Sequence, residues 1–293
     1  MRQKAPWRRS RWVHSINVPP KILGIVNITE DSFSDGGQFL SPEKAISQAL
    51  LLAGAGADII DLGPASSHPG ASPVSAADEI RRIAPAVEAL MARGIAVSID
   101  SFLPATQRYA MAQGVAYLND IQGFPDREIY PELAVSTCRL IVMHAVQGRG
   151  IATRMDSDPD SILERAEHFF DSRISQLEQA GIDRSRLILD PGMGFFLGNQ
   201  AEASLNMLRG LDALKQRYRL PVLVSVSRKS FLRTLTGRDV GQAGAATLAA
   251  ELFAAAQGVD YIRTHDAGAL SDGLKIWSAL HADKSKLMLG ESG

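Results

Sequence analysis

The sequence predicts an α/β protein, a closed (β/α)8 barrel. Eight short apolar runs each carry a polar residue at or near their C-terminal end, a helical stretch with a glycine stop separates most runs from the next, and the runs are otherwise apolar instead of alternating. Strands of that last kind are covered on both faces, and helices between successive strands make them parallel. Eight consecutive units of this kind close into a barrel. The competing architecture is an open doubly wound sheet, but no G-x-G-x-x-G turn follows the first run.

The runs are Ile22 to Ile28, Asp58 to Gly63, Ile95 to Asp100, Ala116 to Asp120, Arg139 to His144, Leu187 to Asp190, Pro221 to Ser227 and Tyr261 to His265. Ser41-Pro42-Glu43 reads as a cap followed by proline at the first helical position, and Ser75-Ala76-Ala77-Asp78 as a variant capping box. Gly56, Gly94, Gly114, Gly181 and Gly258 fall just beyond a helical pattern and before the next run, where a left-handed residue ends a helix. Residues 20–283 are expected to form the barrel, with a flexible basic arm over 1–19 (Arg2, Lys4, Arg8, Arg9 and Arg11) and a tail over 284–293.

Composition narrows the function. A chain of 293 residues, 45% hydrophobic, buries a substantial core. A net charge of −1 and a pI near 6.6 argue against a general nucleic-acid or membrane-surface role, so any anion site must be local. No run approaches the length of a membrane span, and the arm lacks the apolar core of a secretory signal. The single cysteine, Cys138, opens an apolar run and reads as a buried, inert thiol. A cytoplasmic location is the expectation.

In a barrel the site forms at the C-terminal strand ends. Those ends carry Asn27, Asp61, Asp100, Asn119 with Asp120, His144, Asp190, Ser227 with Arg228 and Lys229, and Arg263 with His265. Carboxylates close strands two, three, four and six, whereas strands seven and eight end in cations, so one wall should be acidic and the other basic. The basic wall suits a phosphate. The acidic wall suits a planar heterocycle rich in N–H donors. For Asp61, Asp120 and Arg228 an ion pair across the mouth is an equal alternative, and His144 is either a core histidine or a site residue. No H-E-x-x-H or C-x-x-C spacing is present, which argues against tightly held zinc or iron. A magnesium ion shared with substrate phosphates needs only one or two protein oxygens, and Asn27 can supply one.

Seven motifs then carry a resemblance: Gly24-Ile25-Val26-Asn27 continuing to Asp35-Gly36-Gly37, Ser98-Ile99-Asp100-Ser101, Asn119-Asp120-Ile121, Met143-His144, Asp190-Pro191-Gly192, Ser227-Arg228-Lys229-Ser230 and Arg263-Thr264-His265. In this order the chain resembles the dihydropteroate synthases of folate biosynthesis. The resemblance implies condensation of 6-hydroxymethyl-7,8-dihydropterin diphosphate with 4-aminobenzoate, with release of pyrophosphate and Mg2+ as cofactor. It implies catalytic roles for Asp100, Asp190 and Lys229, and a pterin site of Asp100, Asn119, Met143, Asp190 and Lys229. Asn27, His68, Arg263 and His265 would hold the diphosphate, with Asn27 also on the metal. Phe33, Ser67, Pro69, Phe195, Ser227 and Ser230 would hold the aminobenzoate.

Pro64-Ala65-Ser66-Ser67-His68-Pro69-Gly70 departs from the common family loop by placing His68 where an arginine is usual. With Gln122-Gly123-Phe124-Pro125 and Gly194-Phe195-Phe196-Leu197, this loop is similar to those of acquired, sulfonamide-insensitive members. Phe196 and Phe124 are the candidates for excluding the drug, which carries a bulky tail where the substrate ends in a compact carboxylate. The stretch Ala245 to Gln257, apolar nearly all round, is expected to bury a second face in a homodimer. Two other functions compete. A domain moving a methyl group from methyltetrahydrofolate to a corrinoid has no need of Lys229, Arg263 and His265, and in a non-catalytic pterin binder those cations would have no leaving group to meet.

Overall fold

The computed structural model describes residues 16, 18–29, 41–147 and 150–281. Residues 1–15 and 17 of the arm predicted over 1–19, the tail over 284–293 and Phe33 therefore lie outside the described residues.

Eight parallel strands form one sheet: β1 (Lys21–Asn27), β2 (Ile59–Gly63), β3 (Ala96–Asp100), β4 (Tyr117–Asp120), β5 (Arg139–Met143), β6 (Leu187–Asp190), β7 (Leu223–Val224) and β8 (Tyr261–Thr264). Their order is β6-β5-β4-β3-β2-β1-β8-β7. A parallel bridge from Leu189 to Val222, with Leu189 N donating to Pro221 O at 2.9 Å, joins the two ends, and the barrel closes as the sequence predicts. The seventh strand is shorter than its apolar run. Pro221 has no N–H to give a ladder, and from Ser225 the chain turns into the mouth.

The connecting helices are α1 (Pro42–Gly54), α2 (Ala76–Met91), α3 (Pro104–Gln113), α4 (Tyr130–Val135), α5 (Ile162–Gln179), α6 (Ala201–Arg209), α7 (Leu211–Tyr218), α8 (Ser230–Thr236), α9 (Gly244–Ala256) and α10 (Ala267–His281). Two helices fill each of the last two crossovers. Ser41 and Ser75 cap as expected, accepting from the N–H groups of Lys44 and Asp78. The five glycine stops all adopt the left-handed backbone a side chain would resist, with φ from 70° at Gly94 to 108° at Gly56. Cys138 is buried, its thiol donating to Val115 O.

Side chains alternate along a strand, so alternate positions point into the barrel and stack in layers. The lowest layer takes one residue from each strand: Leu23, Ile59, Ala96, Tyr117, Ile141, Ile188, Leu223 and Tyr261, which form an apolar floor. Two residues further on, the layer above reads Ile25, Asp61, Ser98, Asn119, Met143, Asp190, Ser225 and Arg263. The outward positions pack with the helices into the main hydrophobic core. No helix among the described residues is long and apolar enough to cross a membrane.

Candidate active site

The second layer is where the fold departs from a packed core. Four of its buried polar atoms, Asp61 Oδ1, Ser98 Oγ, Asn119 Oδ1 and Ser225 Oγ, have no hydrogen-bond partner among the described residues. Leaving such atoms unmet costs about 1–3 kcal/mol each, so a ring of them marks a place where a ligand completes the bonding. The third layer, reached two residues later again, brings Asn27, Asp100, Ile121, Ser227 and His265 to the mouth. A cleft of roughly 320 Å³ opens there, lined by Asn27, Ser67, His68, Pro69, Asp100, Phe195, Phe196, Ser227, Lys229, Ser230, Arg263 and His265 among others.

The two-walled picture needs one correction. Arg263 reaches from β8 across the barrel and pairs with both Asp61 (2.5 Å) and Asp100 (2.6 Å). Two carboxylates buried side by side without a cation would be costly, and a guanidinium is long and forked enough to serve both. Arg263 is thus part of the acidic wall. Burial works against its charge, but the two carboxylates more than offset that and hold it above its ordinary range. Asp100 is pushed up to about 7 by burial, which outweighs Arg263. Burial also raises Asp190 to about 6, against the N–H of Gly192 at 2.8 Å and the Lys229 charge. Lys229 is lowered to about 8 by burial and by Arg263, and its Nζ lies 5.2 Å from the centre of the Phe196 ring.

His265 is disfavoured as a cation. Burial, then Arg228 and Arg263, hold it well below its ordinary value, and Ser227 Oγ sits 2.9 Å from its Nδ1. A neutral imidazole can still donate one hydrogen bond. His68 donates from Nδ1 to Pro69 O at 2.9 Å and meets the edge of Phe195 with ring centres 5.8 Å apart. The guanidinium of Arg154 covers Phe195 from another side at 5.8 Å.

The loop after β6 is fixed by glycine. A Cβ on Gly192 would stand 2.4 Å from His144 O, and Gly194 has a φ of 66°. That path turns Phe196 inward beside Ile121, Met143, Ala145 and Ala152 in an apolar patch at the mouth. Phe124 is the opposite case and corrects the sequence reading. It packs into the core between strands and helices, 1% exposed, and contributes nothing to the cleft wall. His144 is likewise a core residue, with Nδ1 toward Pro191 O and burial lowering it to about 4. Asp120 faces outward and accepts from Gln107 and the N–H of Gln122. Asn119, Met143 and Asp190 lie in the second layer, below the open cleft.

Several residues that sequence reasoning passed over also belong to the site. Ser98 and Ser225 sit in the polar layer, and the period-two count from the strand ends would have found them. Met193, Arg233 and Val240 line the cleft but come from loops and a helix whose pattern gives no such signal. On α9, Thr247 accepts from the N–H of Arg228, a residue held at a φ of 58°. One turn on, Glu251 meets Thr264 and is raised to about 8 by burial.

The comparisons with known proteins agree with this geometry. Residues 23–265 match the family model described as pterin binding enzyme. The chain is 60% identical to the dihydropteroate synthase type-2 of Escherichia coli, over 88% of this chain and 95% of that protein. It is 50% identical to the type-3 enzyme of the same organism, over 89% and 99%. The chain belongs to the dihydropteroate synthase family. Among solved structures, the dihydropteroate synthase of Xanthomonas albilineans with 4-aminobenzoic acid superposes with a TM-score of 0.82 at 36% identity, covering 92% of this chain and 95% of that one. As a dihydropteroate synthase the chain is a transferase of folate biosynthesis. The methyl-transfer and non-catalytic readings fall away.

Proposed function

We propose that the chain is a dihydropteroate synthase of the sulfonamide-insensitive kind, with the pterin seated on the apolar floor and the diphosphate and aminobenzoate in the cleft above. The observation that carries the reading is the second layer: a ring of donors and acceptors without partners directly over a floor of aliphatic and tyrosine side chains. Such a floor takes the face of a flat heterocycle, and the ring takes its edge. Asp100, Asn119 and Asp190 accept from its N–H groups, with Lys229 and Met143 beside them.

The reaction breaks the bond between the pterin methylene and the diphosphate oxygen, whose electron pair leaves with pyrophosphate. The arylamine nitrogen supplies the pair for the new C–N bond and then loses a proton. Because that amine is already neutral near pH 7, no strong base is required. Asp100 and Asp190 favour the positive charge that develops on the methylene, and Lys229 and Arg263 favour the leaving anion. His265 adds a neutral donor. A cation held chiefly by substrate phosphates needs only one or two protein oxygens, and Asn27, which lines the cleft, would supply an amide oxygen. When bound, Mg2+ neutralises charge on the departing diphosphate.

Phe196 is the residue proposed to reject sulfonamides. Its ring stands in the cleft beside Lys229, where its bulk would tolerate a compact carboxylate and reject a longer tail. The partner proposed for the outer face is a second copy. Leu248, Leu252 and Phe253 of α9 are only partly buried, and Ile276 and Leu280 of the neighbouring α10 are 63% and 76% exposed. A monomer by light scattering would remove that part. The location proposed is the cytoplasm.

The test is dihydropteroate formation by the purified chain from dihydropterin diphosphate, 4-aminobenzoate and Mg2+, with and without a sulfonamide. Equal product in both is expected, and Phe196→Gly should lower the inhibitory drug concentration by about ten-fold or more. Wild-type product suppressed by the drug would overturn the insensitive reading.

A further inference from the structure

The cleft's basic groups are not alike in what they already hold. Arg263 is paired with Asp61 and Asp100, and Lys229 lies among Asp190, Asp100 and the Phe196 ring. Arg233 also lines the cleft, from α8, yet among the described residues no carboxylate pairs with it and its buried Nε has no hydrogen-bond partner. A guanidinium is charged at every working pH, so a half-buried one facing a cleft without an anion is incomplete. It follows Ser230 by three residues, which places the two side chains on one face of the helix.

The position matters because the arylamine nitrogen must reach the pterin methylene above the second layer. In the pose proposed above, the substrate's ring would run outward past Ser227 and Ser230, which line the cleft together with Arg233, and its carboxylate would point toward the next turn of α8. We propose that Arg233 is the residue that recognises the carboxylate of the aromatic amine, and so a specificity determinant for the second substrate. This rests on the synthase reading of the same cleft. A planar fork matches a planar carboxylate in two parallel bonds, whereas the tetrahedral sulfonyl group of a drug presents its oxygens out of that plane. Phe196 excludes by bulk, and Arg233 selects by charge and shape.

The experiment is steady-state kinetics of the full chain and its Arg233→Gln and Arg233→Lys variants, with 4-aminobenzoate and with its uncharged methyl ester as nucleophiles. In Arg233→Gln the KM for the acid should rise about ten-fold or more, as expected for loss of a charge-assisted pair. The KM for the ester and that for dihydropterin diphosphate should stay within about two-fold, the mark of one lost ground-state contact. Arg233→Lys should fall between, and it carries the same acid-against-ester comparison if the glutamine variant does not fold. A KM for the acid that does not change, or one that rises in step with the ester's, would overturn the proposal. So would a rise confined to the diphosphate substrate. A wild-type chain that made no product would instead remove the synthase reading itself.

Discussion

The floor and the polar layer are built from the same eight strands, two residues apart, and they do opposite things. The floor puts Leu23, Ile59, Ile141, Ile188 and Leu223 around two tyrosines and needs nothing from outside. The layer above puts Asp61, Ser98, Asn119, Asp190, Ser225 and Arg263 at equivalent positions and leaves four polar atoms unmet. A barrel interior can thus be stable at one level and unfinished at the next, because the floor and the outer core carry the fold and leave the second layer to the ligand. The cost of those unmet atoms sits where binding can recover it.

The comparison can be broken most forcefully at Arg263. Arg263→Gln leaves Asp61 and Asp100 without their shared cation, and Asp61 is fully buried. Urea unfolding should show a loss of about 3–5 kcal/mol, together with loss of turnover. A stable variant would mean that the layer does not depend on that pair. Asp190→Asn keeps the shape and removes the charge. Dihydropteroate formation should fall about 10²–10³-fold with the fold intact, and near-normal turnover would remove Asp190 from the chemistry.

Leu118→Ala, on the outward face of β4 and away from the pterin floor, should do the reverse. A cost of about 2–5 kcal/mol in stability is expected from the cavity, while kcat/KM of the folded enzyme stays within about three-fold. The smallest and most specific effect is on pH. Asp190 and Asp100, raised to about 6 and about 7, must be ionised and Lys229, lowered to about 8, must be protonated. The kcat/KM profile should therefore rise with pH through about 6 to 7 and fall above about 8. His265, held well below its ordinary value by burial, adds no limb near neutral pH. A profile flat from pH 5 to 9 would contradict these assignments.

Much of this was legible in the sequence, for physical reasons that also mark the limits. The strands were readable because all-parallel strands are apolar on both faces, and the glycine stops because a left-handed helix end excludes most side chains. The strand-end residues Asn27, Asp100, Asp190 and Lys229 could be named because a barrel's mouth is set by topology. Side-chain reach was not readable. Strand order alone puts Arg263 on a basic wall, yet it crosses to Asp61 and Asp100, a choice made by the cost of buried carboxylates. Phe124 and Phe196 look alike in sequence, each in a glycine-containing loop. Only the backbone path, with Gly192 against His144 O and Phe124 itself at a φ of 60°, sends one into the mouth and the other into the core. Arg233 and Thr247 were missed because each sits in an apolar helix whose period reports the buried face and not its neighbours.

The most direct measurement is a crystal structure of the chain with dihydropterin diphosphate bound. The pterin ring should lie on the Ile188 and Tyr261 layer, its edges bonded to Asp100, Asn119 and Asp190, with the diphosphate toward Asn27, Lys229 and Arg263. A pterin bound outside the barrel mouth, with Asn119 and Ser98 still lacking partners, would contradict that placement.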